Sequence, residues 1–307
     1  NLTGNWSRPE MNKSNLIRRI KELVRPLEPV TIDHPIRLDT LRGIRCVAFD
    51  FYGTMFMSGV GDIGIDEKQE AESEQFFREA LQSTVSAVSD PEAGSAGLAI
   101  FEETIQTHID TARAKGIDHP EPDIIKVWQQ VLNELAVQDR IEGTIDRTTA
   151  MRFGVEFEFR INTIWPYPGL TDTLRALLDR ELTLGIISNS QYYTPLAFEA
   201  FLGRSPADYG FDPTLLVWSF EKGVKKPSTA LYRVFIEALP PEILPEQVLY
   251  VGNDIQKDMQ PAHDLGMKTA LFVGDERSIR HESDEIETTG YPDLIIDDLS
   301  QITESLH

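Results

Sequence analysis

The segment VAFDFYGT, residues 47–54, ends an apolar run with a single carboxylate, Asp50. A short, nearly continuous apolar run bounded by turn residues is typical of a strand buried on both faces. Such strands belong to parallel sheets, whose ligand crevices lie beyond the carboxyl ends of the strands. Asp50 is therefore expected at a binding site, and Tyr52 follows it two residues later.

Similar apolar runs recur in the second half of the chain. They predict further buried strands at 182–189, 215–220, 247–253, 268–273 and 293–299. Helix candidates lie between them, at 169–180, 194–203, 228–239 and 258–266. This alternation predicts an α/β fold, a doubly wound, Rossmann-like parallel sheet with right-handed crossovers.

The residues between the first two predicted strands follow a different pattern. They place apolar side chains three and four apart and give almost no strand signal, which is typical of helices. We predict an N-terminal extension at 1–43, an α/β catalytic core at 44–56 and 166–307, and an inserted helical cap domain at 57–165. The extension is expected to hold a short amphipathic helix that stops near Pro26.

Composition and charge bound the class of protein. Of the 307 residues, 41% are hydrophobic and 26% are charged, as in ordinary globular proteins. No apolar run approaches the roughly 18 residues of a membrane span, so we expect a cytoplasmic protein without a membrane partner. The net charge of -21 would repel nucleic acid, and an anionic substrate would need a local positive site. The oligomeric state, monomer or homodimer, stays open.

Polar side chains stand where the predicted strands end. Because those ends share one edge of a parallel sheet, we expect the side chains to meet in one crevice. The set is Asp50, Ser188, Asn189, Lys222, Lys225, Lys226, Asn253, Asp254 and, a turn later, Asp258. Asp258 could also cap the helix that follows it.

Four segments in this order resemble the haloacid dehalogenase superfamily of hydrolases. They are FDFYGT, IISNS, KKPSTALY and VGNDIQKDMQPAHDLGMKTALF, which begin at residues 49, 186, 225 and 251. The resemblance covers 46–56 and about 166–275, and the insertion is similar to the helical cap of that superfamily.

The resemblance implies roles for the residues that match its motifs. Asp50 would be a nucleophile that forms a covalent aspartyl ester or aspartyl phosphate, which water then hydrolyses. Thr54 and Ser188 would hold substrate oxygens, and Lys226 would neutralise charge on the nucleophile and the transferred group. Tyr52, Asn189 and Asn253 would contact the substrate.

Tyr52 and the fourth motif favour different branches of this superfamily. Phosphatases typically have a second aspartate at the position of Tyr52, whereas dehalogenases have tyrosine there. A phenol is a poor general base at neutral pH, and a halide leaving group needs no proton. By the same resemblance, the fourth motif instead indicates Mg²⁺, held by Asp50, by the backbone carbonyl of Tyr52 and by an acid of that motif, with the choice between Asp254 and Asp258 left open.

These features lead to one expectation and two alternatives. We expect a Mg²⁺-dependent phosphatase of a small anionic metabolite that acts through an aspartyl-phosphate on Asp50. The alternatives are a metal-independent 2-haloacid dehalogenase and a ligand-binding protein without turnover.

Further residues near the motifs are candidates for a hinge, for the crevice lining or for anion binding. The glycine-rich segment 57–65 could be a hinge for the cap or a plain linker. Tyr192 and Tyr193 could line the crevice or pack, and Arg277 and Arg280 could bind an anion or be exposed charges.

Overall fold

The computed structural model of the protein describes residues 13–59, 70–280 and 290–307. The strands are β1 (Cys46–Phe49), β2 (Phe56–Ser58), β3 (Ala87–Val88), β4 (Ile141–Glu142), β5 (Ile164–Pro166), β6 (Thr183–Ser188), β7 (Phe211–Trp218), β8 (Val248–Gly252), β9 (Lys268–Phe272) and β10 (Leu294–Ile296). The helices are α1 (Lys13–Leu23), α2 (Glu70–Thr84), α3 (Ala93–Arg113), α4 (Ile124–Val137), α5 (Arg147–Ile161), α6 (Leu170–Leu178), α7 (Thr194–Leu202), α8 (Ser219–Lys222), α9 (Thr229–Ala238), α10 (Gln260–Asp264) and α11 (Ser300–Ser305).

Six parallel strands form the central sheet, in the order β10-β9-β8-β1-β6-β7. The chain runs outward from β1 through β6 to β7 and then crosses back to β8, so β1 lies at the switch point of the strand order. Cys46 in β1 pairs with Thr183 on one side and with Val248 on the other. The predicted α/β class is confirmed, and the switch point places the end of β1 at a crevice.

The edge strand β7 begins earlier than predicted. It starts at Phe211 rather than at 215, and Ser219–Lys222 forms helix α8 instead of continuing the strand. Asp212 and Pro213 interrupt the apolar run in the sequence, which hid the start of the strand. A proline without an N–H is tolerated there because β7 has a neighbour on one side only.

Helices α2 to α5 lie between β2 and β5 in the chain and pack against one another. Their shared interior is aromatic, since Phe77, Trp128, Phe153 and Phe157 contact each other pairwise. Gly97 lets α3 approach this cluster, because an added Cβ would lie 2.2 Å from the Phe77 ring. Aromatic burial therefore holds the helical segment together.

Two short antiparallel β-ribbons were not predicted from the sequence. β2 pairs with β5, and β3 pairs with β4. Strands of two or three residues are too short to show a period in the sequence. The first ribbon brings both ends of the helical segment side by side at the sheet. Of the segment 57–65, considered as a hinge or a plain linker, residues 60–65 lie outside the described part of the chain.

The N-terminal helix α1 joins the helical segment to the sheet part of the molecule. It packs on α5 and on α7, and it buries Leu16 and Ile20. Arg19 donates from Nε to Glu156 Oε1 of α5 over 2.6 Å, and Arg160 of α5 bonds the same carboxylate. Within the described ranges, no helix is both long and apolar enough to cross a membrane.

Glu156 is 6% exposed, and its carboxylate accepts hydrogen bonds from two guanidinium groups. We predict that Glu156→Gln lowers the free energy of unfolding by about 1–3 kcal/mol, because charge-assisted bonds between α1 and α5 are lost. Urea unfolding measures this change. Glu103→Gln, on an exposed part of α3, is the matched control, and equal losses in both variants would contradict the prediction.

Candidate active site

A cavity of about 420 Å³ lies between the carboxyl ends of the central strands and the helical segment. On the sheet side it is lined by most of the predicted site residues: Asp50, Tyr52, Asn189, Lys226, Asn253, Asp254 and Asp258. On the helical side it is lined by Trp128 of α4 and by Phe157, Glu158 and Asn162 at the end of α5. The predicted crevice is therefore enclosed on two sides.

Asp50 and Lys226 form a buried ion pair at this cavity. Lys226 Nζ lies 2.9 Å from Asp50 Oδ1, and their side chains are 2% and 10% exposed. Burial raises the pKa of Asp50 to about 6, although the Lys226 charge opposes the rise. Burial alone would lower the pKa of Lys226, but the charges of Asp258 and Asp50 raise it above its ordinary value. Lys226 is thus a permanent cation beside the candidate nucleophile.

Both carboxylate oxygens of Asp258 accept hydrogen bonds from within the protein. Its Oδ1 accepts from Lys226 Nζ over 2.5 Å, and its Oδ2 accepts the backbone N–H groups of Asn253 and Asp254 over 3.0 and 3.1 Å. Gly252 is required for this contact, because an added Cβ would lie 2.6 Å from the Asp258 carboxyl. Asp258 therefore positions the lysine and the loop after β8 together.

Asp254, rather than Asp258, caps the helix that follows β8, so the capping role considered for Asp258 was wrong. The helix begins one turn earlier than predicted, with a π-helical segment at Ile255–Met259 that leads into α10. Asp254 Oδ1 accepts from the N–H groups of Gln256 and Lys257 over 2.9 and 2.8 Å. Burial and the charge of Asp258 raise the pKa of Asp254.

Asn253 connects its own loop to the loops that carry Thr54 and Ser278, and it packs closely against the first motif. Its Nδ2 donates to the Ser278 carbonyl over 2.7 Å, and its Oδ1 accepts from Thr54 Oγ1 over 3.4 Å. Gly53 has φ of +75°, and an added Cβ there would lie 2.7 Å from Asn253 Nδ2. A glycine is needed at this position both for its backbone conformation and for space.

Asn189 fixes the backbone of the catalytic lysine candidate. The Lys226 N–H donates to Asn189 Oδ1 over 2.7 Å, and Asn189 Nδ2 donates back to the Lys226 carbonyl over 3.2 Å. Ser188 and Thr54 are fully buried and do not belong to the described lining of the cavity. The Ser188 hydroxyl donates to the Asn189 carbonyl over 3.2 Å.

Tyr52 lines the cavity with its hydroxyl already occupied. Its Oη lies 2.9 Å from Thr194 Oγ1, within hydrogen-bond distance. Burial, reinforced by the charge of Glu158, raises the pKa of the phenol well above its ordinary value. The phenol therefore stays protonated at neutral pH and cannot serve as a general base there.

Glu158 is a cavity residue that the sequence analysis missed. Its Oε2 accepts from the Tyr193 hydroxyl over 2.8 Å, while its buried Oε1 has no hydrogen-bond partner within the described structure. Burial raises the pKa of Glu158 to about 7, and the Tyr193 hydroxyl and Asn162 oppose the rise. The available signal was the spacing by four of Gly154, Glu158 and Asn162 on a helix face that also carries Phe157.

The other residues that the sequence suggested for the site lie in the cavity lining, in the protein interior or on the surface. Tyr193, Lys225 and Arg280 line the cavity, whereas Lys222 is exposed at the end of α8. Tyr192 packs, and its hydroxyl donates to the Met151 carbonyl. Arg277 forms an ion pair with the buried carboxylate of Asp275, 2.6 Å away.

A buried acid paired with lysine at the switch point of a parallel sheet lies where such sheets bind their ligands. A family model described as haloacid dehalogenase-like hydrolase matches residues 44–266. The chain therefore belongs to the haloacid dehalogenase-like hydrolases, as its motifs predicted.

Individual relatives with curated names share limited sequence identity with the chain. A glyceraldehyde 3-phosphate phosphatase of Methanothermobacter thermautotrophicus is 35% identical over 142 residues, which are 46% of this chain and 58% of the relative. A ribulose-1,5-bisphosphate 5-phosphatase of Halopiger xanaduensis is 28% identical over 138 residues, 45% of this chain and 55% of the relative. The chain thus spans a little over half the length of each of these curated relatives.

A solved structure resembles a larger share of the chain. The 2-haloacid dehalogenase of Pseudomonas syringae pv. tomato has a TM-score of 0.51 and 18% identity, and the match covers 85% of this chain and 97% of that protein. At this identity the likeness concerns the fold alone.

The raised pKa of Glu158 predicts how stability changes with pH. The folded-state pKa is about 7 against 4.5 when unfolded, so this carboxyl destabilises the folded protein increasingly as pH rises through that window. We predict that Glu158→Gln gains up to about 3 kcal/mol of unfolding free energy over the wild type between pH 4 and pH 8.

Urea unfolding at several pH values measures this difference. Glu103→Gln is again the control, because its exposed carboxylate should leave the difference from wild type independent of pH. A Glu158→Gln difference that is equally flat would contradict the prediction.

Proposed function

We propose that the protein is a Mg²⁺-dependent phosphatase that hydrolyses a small phosphorylated metabolite through an aspartyl-phosphate on Asp50. The observation that carries the proposal is the buried Asp50 carboxylate, 2.9 Å from Lys226 Nζ and open to an enclosed cavity. Two relatives that match nearly half of the chain are named as phosphatases of small phosphate esters, which supports this reading.

In the first step, an Asp50 carboxylate oxygen attacks phosphorus and forms an O–P bond, while the bond from phosphorus to the leaving oxygen breaks. In the second step, water attacks the same phosphorus, inorganic phosphate departs and the carboxylate is regenerated. Lys226 favours the ionised form of Asp50 and offsets the negative charge of the phosphoryl group. The proposed nucleophile, Asp50, and the cation that offsets the phosphoryl charge, Lys226, thus form one ion pair.

The donor atoms at the cavity fit a magnesium ion. Asp50, the Tyr52 carbonyl and Asp254 would hold it, since carboxylate and carbonyl oxygens are the ligands that Mg²⁺ prefers. Asp254 caps its helix with Oδ1 and leaves Oδ2 out of that cap, whereas both oxygens of Asp258 are engaged elsewhere. The ion would neutralise charge on the phosphoryl group. The described residues contain no cluster of three or more acidic, histidine or cysteine ligands, so backbone and substrate oxygens would complete the site.

The first test is phosphate release from acetyl phosphate and p-nitrophenyl phosphate, with Mg²⁺ and with chelator. We expect Mg²⁺-dependent release that falls by at least about 10³-fold in Asp50→Asn, because the amide is not a nucleophile. Asp212→Asn, a half-buried acid at the start of β7, is the matched control. Release that survives Asp50→Asn would sink the aspartyl-phosphate mechanism.

Tyr52 limits the leaving groups that this site can expel. General acid catalysis is worth about 10²–10⁴-fold, and a phenol with a strongly raised pKa that is already bonded to Thr194 is poorly suited to supply it. We predict that acyl and aryl phosphates react about 10²–10⁴-fold faster than alkyl phosphates. A series of phosphates with graded leaving-group pKa measures this, and equal rates across the series would refute it.

The same tyrosine favours a second candidate, a metal-independent 2-haloacid dehalogenase. Asp50 would displace halide from carbon to form an aspartyl ester, and the departing halide needs no proton from position 52. Halide release from a 2-haloacid in the presence of chelator tests this alternative.

A further inference from the structure

We propose that four side chains of the helical segment form an apolar subsite, which binds the leaving group of the substrate. They are Phe101, Ile105 and Ile109 of α3 and Ile161 at the end of α5. This inference rests on the proposed phosphatase function and deepens it. It assigns the substrate to phosphate esters whose leaving group is an uncharged, apolar body of about the size of a substituted ring.

Helix α3 presents one apolar face to the cavity. Phe101, Ile105 and Ile109 are spaced by four, which places them on the same side of a helix. All three line the cavity that also holds Asp50 and Lys226. Other sides of the same helix carry exposed polar residues, which include Glu102, Glu103, Gln106 and Asp110. The apolar face of α3 therefore belongs to the candidate active site.

The four side chains of the apolar subsite are not fully covered by the protein. Each of them is half-buried, so part of its surface stays accessible. Scattered apolar residues of this kind are ordinary on a protein surface, but these four converge on one cavity beside the candidate nucleophile. A ligand that covers them removes apolar surface from water, which favours binding.

Aromatic rings fix the position of this wall. Phe101 stacks on Trp128 of α4, with ring centroids 4.4 Å apart and 16° between the ring planes. Trp128 also contacts Phe157 of α5, with centroids 5.4 Å apart, and both rings line the cavity. Because three helices hold the wall in place before a ligand arrives, little ordering is needed on binding.

Polar side chains that line the same side of the cavity already bond within the protein. Glu158 Oε2 accepts from the Tyr193 hydroxyl over 2.8 Å, and Asn162 Oδ1 accepts from the Ser58 hydroxyl over 2.9 Å. The remaining polar atoms, Glu158 Oε1 and Asn162 Nδ2, are buried out of reach of a ligand. Both carboxylate oxygens of Glu121 accept from neighbouring side chains. This side of the cavity therefore offers a ligand mainly apolar contacts.

Such a wall discriminates between leaving groups by their polarity. A hydroxylated carbon skeleton would give up hydrogen bonds to water there without gaining equivalent partners, whereas an apolar group gives up none. The cavity volume of about 420 Å³ lies in the range of about 300–1,000 Å³ that is typical of small-molecule sites. With the phosphoryl group at Asp50 and Lys226, the leaving group is directed toward α3 and the end of α5.

The test compares 4-propylphenyl phosphate with 4-(hydroxymethyl)phenyl phosphate. The two phenols have nearly the same acidity, so the rate ratio reports the polarity of the leaving group and not its pKa. In the wild type we expect kcat/KM to favour the propyl ester at least about tenfold, because even one methylene in an apolar pocket is worth about tenfold or more. A ratio near or below one would overturn the inference.

Two substitutions place the preference at α3. In Ile105→Ser and in Ile109→Ser we expect the ratio to fall at least about threefold toward one, because a polar side chain replaces apolar contact surface. Ile100→Ser is the matched control, since Ile100 is half-buried on the same helix but lies outside the described lining of the cavity. Circular dichroism melting identifies any variant that fails to fold. An unchanged ratio in both folded subsite variants, or an equal fall in the control, would contradict the proposal.

Calorimetric titration of Asp50→Asn with the same two esters separates this inference from the proposed function. Tighter binding of the propyl ester that is lost when Ile105→Ser is added would support the apolar subsite even if the wild type released no phosphate. Equal binding of both esters would overturn the subsite, while release of phosphate from acetyl phosphate would still support the phosphatase.

Discussion

The Lys226 ammonium group, held between Asp50 and Asp258, is the interaction on which the site depends. A lysine that is 2% exposed would lose its charge without partners, but here one carboxylate lies 2.9 Å away and another 2.5 Å away. Because Asp50 follows β1, Asp258 lies in the π-helical segment after β8 and Lys226 follows α8, the group draws three parts of the chain to one point. The same contact that stabilises the buried cation also places it beside the candidate nucleophile.

Asp258 extends this network from the lysine into the backbone. Its second oxygen accepts the N–H groups of Asn253 and Asp254, so the conformation of the loop after β8 is tied to the position of the lysine. Asn253 then connects that loop to Thr54 and to Ser278. These buried hydrogen bonds connect the loops around the nucleophile into one network.

The cavity has two walls with different electrostatic character. On the sheet side, the Lys226 ammonium group is paired with Asp50 and Asp258. On the α5 side, Glu158 accepts a hydrogen bond from Tyr193, and burial raises its pKa to about 7. Helix α1 braces this second wall, because Arg19 bonds Glu156 on α5 while α1 also packs on α7. Helix α1 is thus part of the framework that positions the α5 side of the cavity.

The sequence alone was sufficient for the α/β class, for the helical pattern that follows the first strand and for the polar residues at the strand ends, since strand and helix periods and strand-end chemistry are local properties. It also carried the four motifs that identified the family. Only the tertiary structure decided that Asp254 caps the π-helical segment while Asp258 holds Lys226, because the Asp258–Lys226 contact joins residues 32 positions apart in the chain. Only the tertiary structure brought Glu158 to the cavity, since its unpaired oxygen and raised pKa result from burial among residues distant in sequence. Periodicity assigns a polar residue to a helix face, but the neighbours across the fold decide what that residue can do.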